Sequence, residues 1–467
     1  MTRTLLLSGC TLLLSACAAG PGIAPSASDV LLPSAISAAP AAAPADAAAI
    51  AALLPDDPAF VALADAAMEG SPSLGAALAR IDAARASAAR SRAERAPNIG
   101  YDAGVAATRT SPNQFGDDLP FTPDTERVAY SANLSARWDP DLFGALRASQ
   151  RAAIARLDAA GADAEAVRLA LIAEIAGAVT DWRTLDNRAA TLTSDLEAAE
   201  QIARLARTRE DAGIAPGFDR FRAEGQAASS RSRLAALASE RARLIGRLVT
   251  LTALPAPEIE AAFALSPAPI VLAEAPPSLP SGLLARRPDV EAAAARLAAA
   301  DADLAATAAR RFPQFNLSAG IGLLAFALGD LFSADAIVGN LAAGVAGPLF
   351  DFGRIEAEID GAEAQTRIAF QQYRAAVFTA LGDAESAYGL VEAADAEADA
   401  AAREAQMAER AARLADTRHR AGLENFLTVL EARRAADASG DRAAAAAGRA
   451  QRARIILWQA LGGTRGR

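Results

Sequence analysis

The chain has no lysine, a single histidine, His419, and only two cysteines, Cys10 and Cys17. Each shortage closes off a kind of chemistry. One histidine and two cysteines cannot assemble a zinc site of the His/Cys type. Both cysteines fall in an N-terminal segment that reads as an address, so no disulfide framework is expected. The apolar runs of the N-terminus, Leu5-Leu6-Leu7 and Leu12-Leu13-Leu14, are too short to cross a bilayer as a helix. No basic stripe stands out against a net charge of −10, which argues against nucleic acid as a partner. Aromatics make up only 5% of the chain, while hydrophobic residues reach 52%, much of it alanine. Alanine favours helix and presents a small face, so long helices can approach closely. Genomic base bias accounts for a large share of the alanine and arginine, but bias cannot create a repeat.

A repeat is present. Shifted by 209 residues, Phe143-Gly144 falls on Phe352-Gly353, Arg204-Leu205-Ala206 on Arg413-Leu414-Ala415, Ala212-Gly213 on Ala421-Gly422, and Leu248 on Leu457. Solenoid repeats run roughly 20–50 residues, so this is duplication of a large unit. Before the Phe-Gly turn the offset becomes 216, since Arg95 and Pro97 match Arg311 and Pro313. The seven extra residues of the first copy are expected in the Ser111 to Asp124 loop.

The N-terminus reads as a secretory signal: Arg3, a short apolar core, then small residues. Leu14-Ser15-Ala16-Cys17 has the form of a bacterial lipobox, which would put a covalent lipid on Cys17 and is the only covalent addition expected. Leu7-Ser8-Gly9-Cys10 has the same form but leaves too little apolar core before it. Residues 1–16 are thus expected to be the signal, and 17–60, rich in Ala, Pro and Ser, an extended linker. A second proline-rich linker is expected over 255–280, between repeat 1 (61–254) and repeat 2 (281–463).

Both repeats predict one order of elements. A helix ends at a proline that opens a strand, and a hairpin follows (98–139 and 314–348). Ile99, Tyr101, Ala103, Val105 and Ala107 alternate with polar or small residues, as do Val128, Tyr130, Ala132, Leu134, Ala136 and Trp138 on the return. In the second copy Phe315, Leu317, Ala319, Ile321 and Leu323 are answered by a weaker return at Leu341, Ala343 and Val345. Period-two alternation of this length fits a membrane β-barrel strand or any half-buried hairpin. Four strands cannot close a pore in one chain. From Ala145 to Ala212, and from Arg354 to Ala421, no proline occurs, which predicts helices of about 100 Å at 1.5 Å per residue. Val377, Leu381, Ala384 and Tyr388 form a coiled-coil seam, with Ile172, Ile175 and Val179 in register in the first copy. Tips are expected near 213–217 and 422–425, with Gly213 and Gly422 available as helix C-caps.

Four features carry a resemblance. They are the lipobox; Trp138-Asp139-Pro140-Asp141-Leu142-Phe143-Gly144 with its echo Leu349-Phe350-Asp351-Phe352-Gly353-Arg354; Arg286-Arg287-Pro288-Asp289 with Arg311-Phe312-Pro313; and the tip from Arg420 to Glu431. In this order and spacing they resemble the TolC-like outer-membrane efflux proteins, in the lipoprotein branch serving resistance-nodulation-division pumps. The resemblance covers nearly all of the chain after residue 60. It implies a mainly α protein with a membrane β part: a homotrimer whose shared β-barrel is continued by a periplasmic α-helical barrel. The partners implied are a periplasmic adaptor, an inner-membrane pump and outer-membrane lipid, and the role is a passive duct for small molecules. Carried over by position, Asp219 and Glu431 match acidic tip positions, while Thr428 stands where another acid is found in the family. The resemblance therefore implies a constriction ringed by Glu431. Arg209, Arg418, Arg420 and Glu424 flank the tips, where ion pairs with Asp219 are expected to help hold an entrance closed and where the adaptor would touch.

Other signals fail. Asp351-Phe352-Gly353 matches a kinase tripeptide without the loops that would accompany it. Gly320-Ile321-Gly322 lacks the rest of a dinucleotide fingerprint. His419, in a charged stretch, is expected to face solvent. No enzyme is expected. Two alternatives stay open: a lipid-anchored coiled-coil tether of the envelope, and a duct for secreted proteins.

Overall fold

The computed structural model describes residues 30–41, 43–44, 46–111, 126–214, 216–265 and 271–463. Cys10, Cys17, the signal segment and most of the Ser111 to Asp124 loop lie outside the described residues. The chain divides into two compact units.

One unit comprises Ile81–Ala159 and Ala294–Gln372. Its centre is a four-stranded antiparallel sheet in the order β1-β2-β3-β4. The strands are β1 (Asn98–Arg109), β2 (Glu126–Trp138), β3 (Gln314–Ala325) and β4 (Ile337–Ala346). Tyr101 stands opposite Leu134, Leu134 opposite Ile321, and Ile321 opposite Gly339. Each hairpin is thus in the register its alternation predicts, and the two hairpins pair through β2 and β3.

The family-like motifs of this unit are joints. The Trp138 indole donates to the Arg95 carbonyl at 3.0 Å. Phe143 stacks on Phe312 with ring centroids 4.7 Å apart, and Arg311 binds Glu356 at 2.7 Å. Each strand-to-helix turn is closed by an aspartate at the helix start. Asp141 accepts from the N–H groups of Leu146 and Arg147, and Asp351 from those of Gly353 and Ile355. Gly144 and Gly353 sit at φ of 81° and 83°, the left-handed region that favours glycine. A long helix follows each turn: Ala145–Asp211 in the first copy and Arg354–Arg420 in the second, 67 residues apiece.

The other unit comprises Val30–Arg80, Ala160–Ala293 and Tyr373–Arg467. In chain order the helices of the molecule are α1 (Ala47–Ala51), α2 (Pro58–Gly70), α3 (Pro72–Ala93), α4 (Ala145–Asp211), α5 (Gly217–Thr252), α6 (Ala256–Phe263), α7 (Pro280–Leu284), α8 (Pro288–Ala308), α9 (Arg354–Arg420) and α10 (Phe426–Ala460). The seam residues Val377, Leu381, Ala384 and Tyr388 of α9 are all buried, in one core with Trp458, Leu283, Ile50 and Leu53. Ile175 and Val179 of α4 are buried in a second core with Leu63, Trp182, Leu248 and Phe263.

Both proline-rich segments differ from extended chain. Ile36, Ile50 and Leu53 are buried, and Asp46 caps a short helix. Residues 256–263 are helical, and Phe263 stacks on Trp182 at 4.1 Å. A few apolar side chains among the prolines find these cores, which composition averaged over the segment hides. Two buried arginines brace this unit, the first of them fastening both segments. Arg183 binds Asp57 at 2.8 Å and the Phe263 carbonyl at 3.1 Å. Arg287 binds Asp289, Asp383 and the Ala460 carbonyl, so the Arg-Arg-Pro-Asp motif ties the start of α8 to α9 and to the end of α10. Among the described residues no helix is long and apolar enough to cross a membrane.

Candidate functional site

The two hairpin tips have one construction. At the end of α4, Gly213 takes φ of 72° and its N–H donates to the Glu210 carbonyl, while the Ile214 N–H donates to that of Arg209. At the end of α9, Gly422 takes φ of 73°, and Gly422 and Leu423 donate to the carbonyls of His419 and Arg418. Both are Schellman caps with glycine at C′. The return helices start differently. Asn425 caps α10 by accepting from the Thr428 N–H at 2.8 Å, whereas Pro216 gives α5 no side-chain cap.

His419 is half-buried at this site rather than facing solvent. The Arg209 guanidinium lies 3.0 Å from its Nε2, and its Nδ1 lies 2.9 Å from the Glu424 carbonyl. Arginine only donates and a carbonyl only accepts. The ring therefore accepts at Nε2 and donates from Nδ1, which makes it the neutral Nδ1–H tautomer. The histidine joins the end of α4 to the tip of the second hairpin. Sequence reasoning missed the pair because its members are 210 residues apart. The 209-residue offset, which superposes the tips, was the available clue.

The predicted site residues fall into separate groups. Arg209 goes to His419, Arg418 lies 3.8 Å from Glu424, and Arg420 binds Asp416 at 2.6 Å within its own helix. None of these arginines makes an ion pair with Asp219 inside the chain, so the expected latch through Asp219 is absent there. Asp219 sits in the first turn of α5. The Thr428 hydroxyl is taken up by Glu424 at 3.1 Å and Asn425 at 3.0 Å, and belongs to the cap. Glu431 stands 4.0 Å from Arg222 of α5, an unpredicted partner. The first hairpin is closed by Arg220 to Glu210 and Arg207 to Glu224, each at 2.5 Å. The hydrogen bond from Arg207 holds the Glu224 carboxyl below the usual carboxylate range. Ile214, Phe218, Phe221 and Leu423 are exposed around the tips.

Behind the tips, three ion pairs join α4 to α10: Asp181 with Arg452 at 3.1 Å, Arg188 with Asp441 at 2.7 Å, and Asp195 with Arg433 at 3.5 Å. At the last of these Asp437 is only 1% exposed. Burial, then the neighbouring Asp195 charge, pushes its carboxyl up to about 7. Asp195 is raised too, first by burial.

The sheet offers a second functional surface, with unlike faces. Ile99, Tyr101, Val105, Tyr130, Leu134, Trp138, Phe315, Ile321 and Leu341 share one face by register. The opposite face carries Asn98, Asp102, Ser131, Asn133, Ser135, Ser318, Asn340 and several glycines. Among the described residues, the outer edges of β1 and β4 have no strand partner.

Comparison with known proteins bears on both surfaces. The profile of the family described as outer membrane efflux protein matches residues 63–254 and 279–463. The chain is 32% identical over 407 residues to the pyoverdine export outer membrane protein OpmQ of Pseudomonas aeruginosa, covering 87% of this chain and 85% of that one. It is 28% identical to the solvent efflux pump outer membrane protein SrpC of Pseudomonas putida, over 81% of this chain and 79% of that one. The solved outer-membrane channel OprN superposes with a TM-score of 0.85 at 27% identity, covering 94% of this chain and 99% of the other.

Proposed function

The chain belongs to the outer membrane efflux protein family and is an outer-membrane channel of efflux pumps; from that premise we propose that three copies close one shared β-barrel, with the long hairpins continuing it as a periplasmic duct. The observation that carries this reading is the four-stranded sheet with one apolar face, one polar face and two open edges. Four strands are too few to close around a lumen. Open edges invite pairing with another copy, and an apolar outer face suits lipid. A tether would need no such sheet.

In this assembly the tips form the periplasmic entrance. Exposed Ile214, Phe218, Phe221 and Leu423, set among Arg418, Arg420 and Glu424, give a periplasmic adaptor an apolar surface with a charged rim. Above an inner-membrane pump of the resistance-nodulation-division type the channel is passive. Glu431 supplies the carboxylate ring of the constriction, its field moderated by Arg222 and by salt. Thr428 and Asp219 flank it. Cys17 carries the lipid anchor. The cargo is small molecules, in keeping with relatives named for pyoverdine and solvent export.

Four experiments test the reading. Cross-linking of detergent-solubilised protein should give a trimer, and planar bilayers should show pores. Deletion of the gene should raise accumulation of dyes, antibiotics or solvents. A monomeric, non-conducting rod would overturn the reading. Cys17→Ala should abolish lipid labelling, and undiminished labelling would move the anchor elsewhere.

A further inference from the structure

On the polar face of the sheet, three asparagines stand directly opposite three glycines. Asn133 of β2 is opposite Gly322 of β3, Asn340 of β4 is opposite Gly320 of β3, and Asn316 of β3 is opposite Gly344 of β4. In each pair the asparagine amide occupies the space that a glycine side chain would need. A Cβ at Gly320 would lie 2.5 Å from Asn340 Oδ1, and one at Gly344 would lie 2.8 Å from Asn316 Oδ1. The Asn133 amide blocks Gly322 in the same way, and donates to Asp102 across the next strand at 2.9 Å. The amides therefore lie flat across neighbouring backbone instead of standing up from the sheet. Much of the rest of this face is small, Gly100, Gly104, Ser131, Ser135, Ser318 and Ala342 among it, while Thr108, Gln314, Leu324 and Val338 are its larger uncharged residues. Among the described residues its charged groups are Asp102, Arg127 and Arg137, and Asp102 is engaged by Asn133.

We propose that these asparagine-over-glycine pairs set the bore of the membrane barrel, Gly320 and Gly344 keeping its wall low, separately from the constriction at the tips. The inference rests on the shared-barrel reading, which makes the polar face the lumen. Curling a sheet into a barrel crowds its inner face, where side chains converge on the axis. Glycine on one strand gives the amide of the next a bed to lie in. Between Asp102, Arg127 and Arg137 the wall then presents amides and hydroxyls at close to backbone height. Around the asparagine–glycine pairs such a wall discriminates by size, its charge being confined to Asp102, Arg127 and Arg137. It passes bulky, uncharged or amphipathic molecules, for which neutral hydrogen-bonding groups offer weak contacts easily exchanged with water.

The experiment measures the largest neutral polymer, from a graded polyethylene glycol series added on the extracellular side, that enters the channel and lowers its conductance in planar bilayers. The double variant Gly320→Ala/Gly344→Ala should lift Asn340 and Asn316 into the lumen and shift the cut-off to smaller polymers. Adding Asn340→Ala and Asn316→Ala to that variant should restore the parental cut-off. The two asparagine substitutions alone should leave it unchanged, because the amides already lie flat. An unchanged cut-off in inserted Gly320→Ala/Gly344→Ala channels, or no restoration, overturns the proposal. If the glycine variants do not insert, the asparagine variant decides: a cut-off moved to larger polymers would show that the amides project. Absence of any pore from the parent protein would instead overturn the shared-barrel reading, and this inference with it.

Discussion

A carboxyl buried beside another carboxyl has a sign that can be worked out. Asp437, buried on α10 and facing Asp195 of α4, keeps its proton to about pH 7, whereas in the unfolded chain it would release it near pH 4. Arg433 and Arg233 lower the cost of ionisation there but do not cancel it. The folded state therefore holds more protons across the window from about 4 to about 7. This group's contribution is greatest below that window and is lost as pH rises through 7. Asp437→Asn cannot ionise. Its unfolding temperature in detergent should exceed the parent's by most at pH 8, by less at pH 5 inside the window, and by least below pH 4; an equal difference at all three would show that ionisation plays no part. Glycine supplies the other residue-scale forecast. Gly213→Ala and Gly422→Ala each place a Cβ in a left-handed backbone, at a cost of roughly 1–2 kcal/mol. Amide exchange in the last turns of α4 and α9 should quicken, while exchange around Trp458 stays slow.

At the scale of elements, the two tips are alike at the ends of α4 and α9 and unlike at the starts of α5 and α10. His419 is what joins one to the other. His419→Ala would leave the Arg209 guanidinium without its ring acceptor, and would release the Glu424 carbonyl. Single-channel conductance should rise, since a link across the entrance is lost. Unchanged conductance would assign the histidine to packing against Phe426, 5.8 Å away. Elements of this kind show where a sequence is legible. The seam of Val377, Leu381, Ala384 and Tyr388, and the alternation of both hairpins, follow from local period because each residue's burial is decided by its own helix or strand. The pairs that shape the site do not follow. Arg209 with His419, Asp195 with Asp437, and Arg222 with Glu431 bring together residues about 200 or more apart, and no local rule couples them. The three Asn–Gly pairs needed the register of β3 against both its neighbours. Asp219 forms no ion pair with Arg209, Arg418 or Arg420 among the described residues, because each of those arginines finds another partner within the chain.

At the scale of the whole molecule, the 209-residue offset holds from the strand-to-helix turns through both tips, and a change of length there should be costly. Three residues inserted after Glu200 would rotate every later position of α4 by about 300° at 3.6 residues per turn, turning its core-facing side away from α5 and α10. Loss of the proposed trimer in detergent is expected, whereas three residues inserted after Gln114, in the loop where the copies differ in length, should leave assembly intact. The reverse pattern would refute the assignment of rigid wall and variable loop. The ion pairs behind the tips help fix how α4 sits against α10. Asp181, Arg188 and Asp195 recur along α4 at seven-residue steps with alternating sign, and their partners Arg452, Asp441 and Arg433 alternate in the opposite sense. Slide one helix past the other and these pairs are broken while each charge is carried toward one of its own sign, a mispairing that repulsion penalises. The helices are keyed like a toothed rack: a push at one end is delivered at the other as movement of the whole hairpin, because the teeth forbid creep.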